Sequence, residues 1–237
     1  MAFFNDFKEA IGLFKEDHRL NTNYKHIDPA RLLELAESKS TEDSFWEAVN
    51  YRMQNRHVNL RHNTPEQDEI RTLEILSDAQ LAYYTGWTYA QAMGISFIAG
   101  DSDNTTKPRD IDGEAAADAE DAEESEKTAD IRDSDHLLSP GLYQYMTQPS
   151  RIHIPLLAGQ LKILHADRHA EHFEKFISEQ GIRFRELDSY TTRLEHSDPQ
   201  EIHDLFTPYN DVFHAINQEE DLKQLLKKYV IEHVREF

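Results

Sequence analysis

The sequence predicts an all-α fold, a multi-helix bundle around a buried central helix at 65–99, and three observations carry the prediction. Glycine and proline are scarce at eight each, whereas a β-sandwich needs turn residues roughly every 8–12 positions. No charged residue falls between Asp78 and Asp101, so this stretch is apolar on most sides, as an enclosed helix is. Within it Ala82, Gly86, Ala90 and Gly94 recur every four residues, a stripe of small side chains on one helix face that lets a neighbour come close.

Taken in order, Met1–Arg19 places Phe3, Phe7, Ile11 and Phe14 at helical spacing, which reads as an amphipathic helix docked on the core. Asp6 and Glu9 near its start, with no basic lead or small-residue cleavage site, exclude an ordinary secretory signal. Asp28-Pro29 opens a short helix with Leu32, Leu33 and Leu35. Ser40–Asp43 opens another, with Phe45, Ala48, Val49 and Met53 inward. The central helix begins at Thr64-Pro65-Glu66-Gln67, where threonine caps, proline has no N–H to leave unpaired, and glutamine closes a capping box. Its tyrosines, threonines and glutamines make it too polar to insert into a membrane.

Asp101–Asp135 holds fourteen acids against four bases, which is half of the net charge of −20. It has almost no bulky apolar residue to offset the entropy of ordering, so it reads as a flexible acidic linker or surface loop. The chain thus divides into an N-terminal helical half at 1–100, the acidic segment at 101–135, and a C-terminal helical half at 136–237 that packs with the first as one body.

In the second half, Leu142, Tyr143, Tyr145 and Met146 form a short apolar piece. Arg151–Pro155 alternates and precedes a proline, which predicts extended chain. A long helix follows from Leu156 to Gln180, stopped by Gly181 at C′. Ile182 and Phe184 alternate with Arg183 and Arg185, leaving room for one short strand near 182–186. Asp198-Pro199 caps the next helix, which Thr207-Pro208 either kinks or divides. Glu219–Phe237 is the cleanest amphipathic pattern, with Leu222, Leu225, Leu226, Tyr229, Val230, Val234 and Phe237 on one face.

The chain has no cysteine, which excludes disulfides, thiolate ligands and cysteine nucleophiles and fits a reducing, cytoplasmic setting. Outside the acidic segment the chain is still acidic, so a broad nucleic-acid face or an anionic membrane surface is disfavoured. There is no glycine-rich phosphate loop and no glycine-serine elbow.

Two constellations remain. His165, His169 and His172 fall at i, i+4 and i+7 on the long helix, where histidines can share a metal ion. Asp211 and His214 at i, i+3 are the downstream partners of choice, with His203, Glu69, Glu74 and Asp78 as further candidates. A cysteine-free nitrogen and oxygen set suits a divalent metal such as zinc or iron. The competing reading has these histidines at a helix boundary, hydrogen-bonded and metal-free. His18, His26, His136, His153, His196 and His233 share no spacing. Because the clustered histidines titrate between about pH 5 and 8, the helix is also a candidate for pH response. Separately, Arg52, Arg56, His57 and Arg61 make the one locally basic stretch. Positive groups there suit a helix C-terminus, or an anion or acidic partner. Arg52 and His57 also match an arginine–four–histidine spacing used by some helical ribonucleases, a short motif that is weak without its context.

The expected function is therefore that of a helical protein that binds a protein partner or itself without catalysis. A metal-binding bundle using the histidine cluster is the alternative, and a helical ribonuclease a minor one.

Overall fold

The computed structural model describes residues 28–54, 64–98 and 141–237, and all regular structure among them is helical. The first half supplies α1 (Pro29–Glu37), α2 (Glu42–Gln54), α3 (Pro65–Ile75) and α4 (Asp78–Ala92). The second supplies α5 (Leu142–Thr147), α6 (Ile154–Ile163), α7 (Asp167–Glu179), α8 (Leu187–Glu195), α9 (Pro199–Glu219) and α10 (Leu222–Glu232). The amphipathic N-terminal segment, the acidic segment and the basic residues Arg56, His57 and Arg61 lie outside the described residues. No helix among the described residues is long and apolar enough to cross a membrane.

Short side-chain caps start most of the early helices. Asp28 accepts from the Arg31 N–H at 2.8 Å. At Thr64 the capping box forms in full, Gln67 N–H to Thr64 Oγ1 at 3.3 Å and Thr64 N–H to Gln67 Oε1 at 3.0 Å. The same device recurs at Ser77 with Gln80, at 3.4 and 3.1 Å. It divides the central stretch, so the helix expected over 65–99 is two helices, with Leu76 extended between them. The second box offsets the cost of the break, because it pairs two N–H groups that leaving the helix at Leu76 would free.

The buried centre is α4, with twelve of its fifteen residues enclosed. It packs against α6 on one side and α10 on another. Its small-residue stripe does what the spacing predicts. A Cβ at Gly86 would sit inside the van der Waals envelope of Leu164 Cδ1 and 3.3 Å from Leu226 Cδ2. The helix ends where Gly94 takes a positive φ of 84° and Ile95 N–H reaches back to the Ala90 carbonyl at 2.9 Å, a Schellman closure.

The helix expected over Leu156–Gln180 is also two. Ala166 N–H bonds the Leu161 carbonyl at 2.8 Å around His165, whose φ is +59°. This is the same closure built on a non-glycine residue, and the local sequence carries no glycine or proline to announce it. The cap of the next helix comes from elsewhere in the chain. The Glu220 carboxylate, beyond the end of α9, accepts from the N–H groups of Arg168 at 3.2 Å and His169 at 3.4 Å. Gly181 ends α7 as expected, with φ +60° and Ile182 N–H on the Ile177 carbonyl at 3.0 Å.

Two extended readings are replaced by turns of 3₁₀ helix. Pro149–His153 is one, running straight into α6, since prolines at the first turn of each piece need no N–H partner. Phe184–Glu186 is the other; no strand exists among the described residues to pair with 182–186. Helix α9 runs unbroken through Pro208.

The core is aromatic. Tyr89 of α4 meets Tyr145 of α5 at 5.3 Å, Phe213 of α9 at 5.5 Å and Phe173 of α7 at 5.9 Å, all edge to face. Such pairs add about 0.5–1.5 kcal/mol each beyond burial, and here they tie four helices at one point.

Candidate functional site

The histidine cluster is dispersed by the break between α6 and α7. His165 sits exposed in that break, while His169 and His172 are buried on α7 against α9. Asp211, His214 and His203 are exposed on α9. Among the described residues no group of three or more histidine, aspartate or glutamate side chains is arranged to hold a metal ion.

The two buried imidazoles serve the α7–α9 contact. His169 Nε2 lies 2.8 Å from the Glu220 carbonyl. A carbonyl can only accept, so that nitrogen carries the proton and Nδ1 keeps its lone pair. His172 makes a backbone hydrogen bond toward Tyr209. Neither His169 Nδ1 nor His172 Nε2 has a hydrogen-bond partner. Burial holds both imidazoles below the ordinary histidine range, despite these backbone bonds. The same contact is reinforced on the surface, where the Arg168 guanidinium pairs with Glu219. Of the basic stretch, Arg52 is placed at the end of α2, half-buried.

A second constellation forms from residues the sequence keeps far apart. The cap at Thr64 starts α3, which carries Glu69 inward with Asp68 and Thr72. The 3₁₀ turn before α6 carries His153, fully buried. His153 Nε2 lies 2.8 Å from Glu69 Oε1. The contact is close but is not aligned as a hydrogen bond.

Helix α4 closes the site from the other side. The Tyr84 hydroxyl hydrogen-bonds Glu69 and its ring tilts over His153 at 5.4 Å. Thr88 Oγ1 stands 3.4 Å from His153 Nδ1 and donates to the Thr85 carbonyl at 3.0 Å. At the rim Arg151 reaches Glu66 at 3.5 Å and Asp188 at 3.7 Å, pinning the turn to α3 and α8. Burial, with the Glu69 charge second, pushes the Tyr84 phenol far above its ordinary range. Burial does the same for Tyr145, with Tyr89 and Glu69 adding to it.

Threonine, histidine and glutamate in this order resemble an activated-hydroxyl triad in geometry alone. Thr88 spends its proton on a backbone carbonyl and is buried, so the hydroxyl is not presented to a substrate. What the arrangement does is hold a carboxylate beside an imidazole inside the protein, joining α3, α4 and the turn before α6. The sequence offered Glu69 as a further partner for His165, His169 and His172, and the structure places it beside His153. His153 carried no signal beyond its neighbouring proline.

The chain matches no protein-family model, no curated protein and no solved structure.

Proposed function

We propose that this is a non-enzymatic helical protein that works by self-association or through a protein partner, with the outward face of α6 as its contact surface. The observation that supports this reading is an apolar stripe on that helix. Leu156 and Ile163 are 39% and 48% exposed, and between them Gly159 has open space where a Cβ would stand. Leu156 and Ile163 lie almost equally far from Gly159 along the helix. A second α6 laid antiparallel would therefore set each leucine against the other's isoleucine, the self-complementarity that a two-fold contact requires. The charged residue nearest the stripe, Lys162, is already paired with Glu174 at 2.6 Å.

Sedimentation equilibrium over a wide concentration range tests the reading. The wild type is expected to rise above the monomer mass of 27.7 kDa, and the double variant Leu156→Glu, Ile163→Glu to stay there. A wild type that remains monomeric throughout removes self-association.

The metal-binding alternative retains one supporting observation, the two buried imidazole nitrogens of His169 and His172 that have no partner. Elemental analysis of protein purified without a histidine tag tests it, and metal that survives replacement of both residues by glutamine refutes it.

A further inference from the structure

We propose that Arg183, Phe184 and Arg185, on the turn between α7 and α8, are the docking site of the chain's own acidic segment, which binds there through Asp130, Ile131 and Asp133. The site is separate from the α6 surface and does not depend on it.

The turn brings together two features found apart elsewhere. Phe184 is 48% exposed and is the one exposed aromatic side chain among the described residues. The arginines on either side of it are exposed as well, and both reach the same oxygen, Glu186 Oε1, at 3.5 Å and 3.3 Å. A guanidinium carries several N–H donors in a planar fork. One shared carboxylate therefore leaves a positive charge and most of those donors turned to water, where arginine takes a further carboxylate by paired hydrogen bonds. An apolar ring between two such forks suits an acidic peptide with a bulky apolar residue beside its carboxylates.

The chain carries such a peptide. Ile111 and Ile131 are the only bulky apolar residues from 101 to 135, and each stands among aspartates, Asp110 and Asp112 in one case and Asp130 and Asp133 in the other. The place where the segment rejoins the described structure favours the second. Leu142 N–H donates to Asn210 Oδ1 at 3.0 Å. The neighbouring Tyr209 hydroxyl accepts from Gln180 Nε2 at 3.0 Å and donates to Glu179 at 2.9 Å. Gln180 precedes Arg183 by three residues, so the return point and the turn share one end of the α7–α9 contact. Ile131 lies ten residues before Gly141, a tether that spans up to about 33–36 Å. Ile111 lies thirty residues before it, and local concentration falls steeply as a tether lengthens.

Tethering also favours this segment over an outside acidic partner. The chain is acidic even without the segment, so a separate anionic protein is repelled on approach. A short tether instead holds its own end at an effective concentration on the order of 1 mM.

The chain has no cysteine, so Ser134→Cys carries a nitroxide spin label at a single position in the full chain. Paramagnetic broadening is read on the amide signals of Ile182, Phe184 and Glu186. At low salt these signals are expected to lose more than half of their intensity, and to recover it at about 1 M salt, where the screening length is about 3 Å. The variant Arg183→Glu, Arg185→Glu should recover it at low salt, and Phe184→Ala should recover part of it. Adding Asp130→Lys and Asp133→Lys to the arginine variant should restore the broadening.

Three outcomes overturn the proposal. Broadening that neither salt nor charge reversal relieves is the nearness of the tether alone. Absence of broadening means that the segment does not bind the turn. Broadening of an unlabelled, isotope-enriched chain mixed with a spin-labelled one makes a second copy the occupant.

Discussion

Two helical glycines predict opposite responses to the same substitution. Replacing glycine by alanine inside a helix gains about 0.8–1.0 kcal/mol from backbone entropy and propensity. At Gly159 nothing lies within 4 Å of the added methyl, so the full gain is expected. At Gly86 the methyl would overlap Leu164 Cδ1 and press on Leu226 Cδ2 at 3.3 Å. Leu164 and Leu226 are themselves buried, at 1% and 0% exposure, and have little room to turn away. Overpacking of this kind costs about 1–3 kcal/mol, so the net effect is a loss of about 1 kcal/mol. For a chain of this size each kcal/mol moves the melting temperature by roughly 2–4 °C. Circular dichroism melts at low protein concentration should show Gly159→Ala rising and Gly86→Ala falling by that amount. A Gly86→Ala protein that melts with or above the wild type would show that α4 is not gripped closely by its neighbours.

Other perturbations have equally definite signs. His165 pays for a left-handed backbone that costs an L-residue about 1–2 kcal/mol, so His165→Gly should raise the urea midpoint, and a lowered midpoint would contradict the closure described. Removing one partner of the buried pair, by Glu69→Ala or His153→Ala, should destabilise by about 3–5 kcal/mol. The double variant should lose less than the two losses combined, with a coupling of about 0.5–3 kcal/mol in a double-mutant cycle; strict additivity would mean the two side chains do not interact. Stability should also fall in acid through His169 and His172, which burial holds below the ordinary range. The unfolded chain takes up these protons first, near about pH 6.5. The contribution is therefore fully present above that pH and is lost as pH drops toward the folded-state values. Each histidine can add a slope of up to about 1.4 kcal/mol per pH unit. Urea titrations at about pH 7.5 and 5.5 should show this drop diminished in the variant with both residues changed to glutamine; an unchanged drop assigns it to other groups.

How far the fold can be read from the residues depends on how local its determinants are. Asp28, Thr64, Asp198 and Gly181 act on atoms within a few positions of themselves, and each does what its type and spacing imply. Ser77 and Gln80 were equally local but lay at the edge of a charge-free run, whose uniform apolarity concealed the boundary. The break at His165 could not be read in the same way, because the groups that stabilise it belong to Glu220. The candidate site was less accessible still. Glu69 and His153 are ordinary residues on separate helical pieces, and only the packing of α3 on the turn before α6 makes them a pair. The dispersal of the histidine cluster has a related reason. Its spacing assumed one continuous helix, and a single left-handed residue turned His165 away from the other two.

The Glu220 contact has a bearing on how the chain reaches this form. Helix α7 receives its opening cap from a residue that follows it by the whole of α8 and α9. During synthesis the stretch from Asp167 to Glu179 is complete well before the group that finishes it has left the ribosome. Until α9 folds back, its leading turn has donors facing water and a buried-type histidine without its carbonyl. The contact of α7 with the end of α9 can therefore form only once α9 has been made, and it is this contact that supplies the first turn of α7 and the His169 ring with their acceptors.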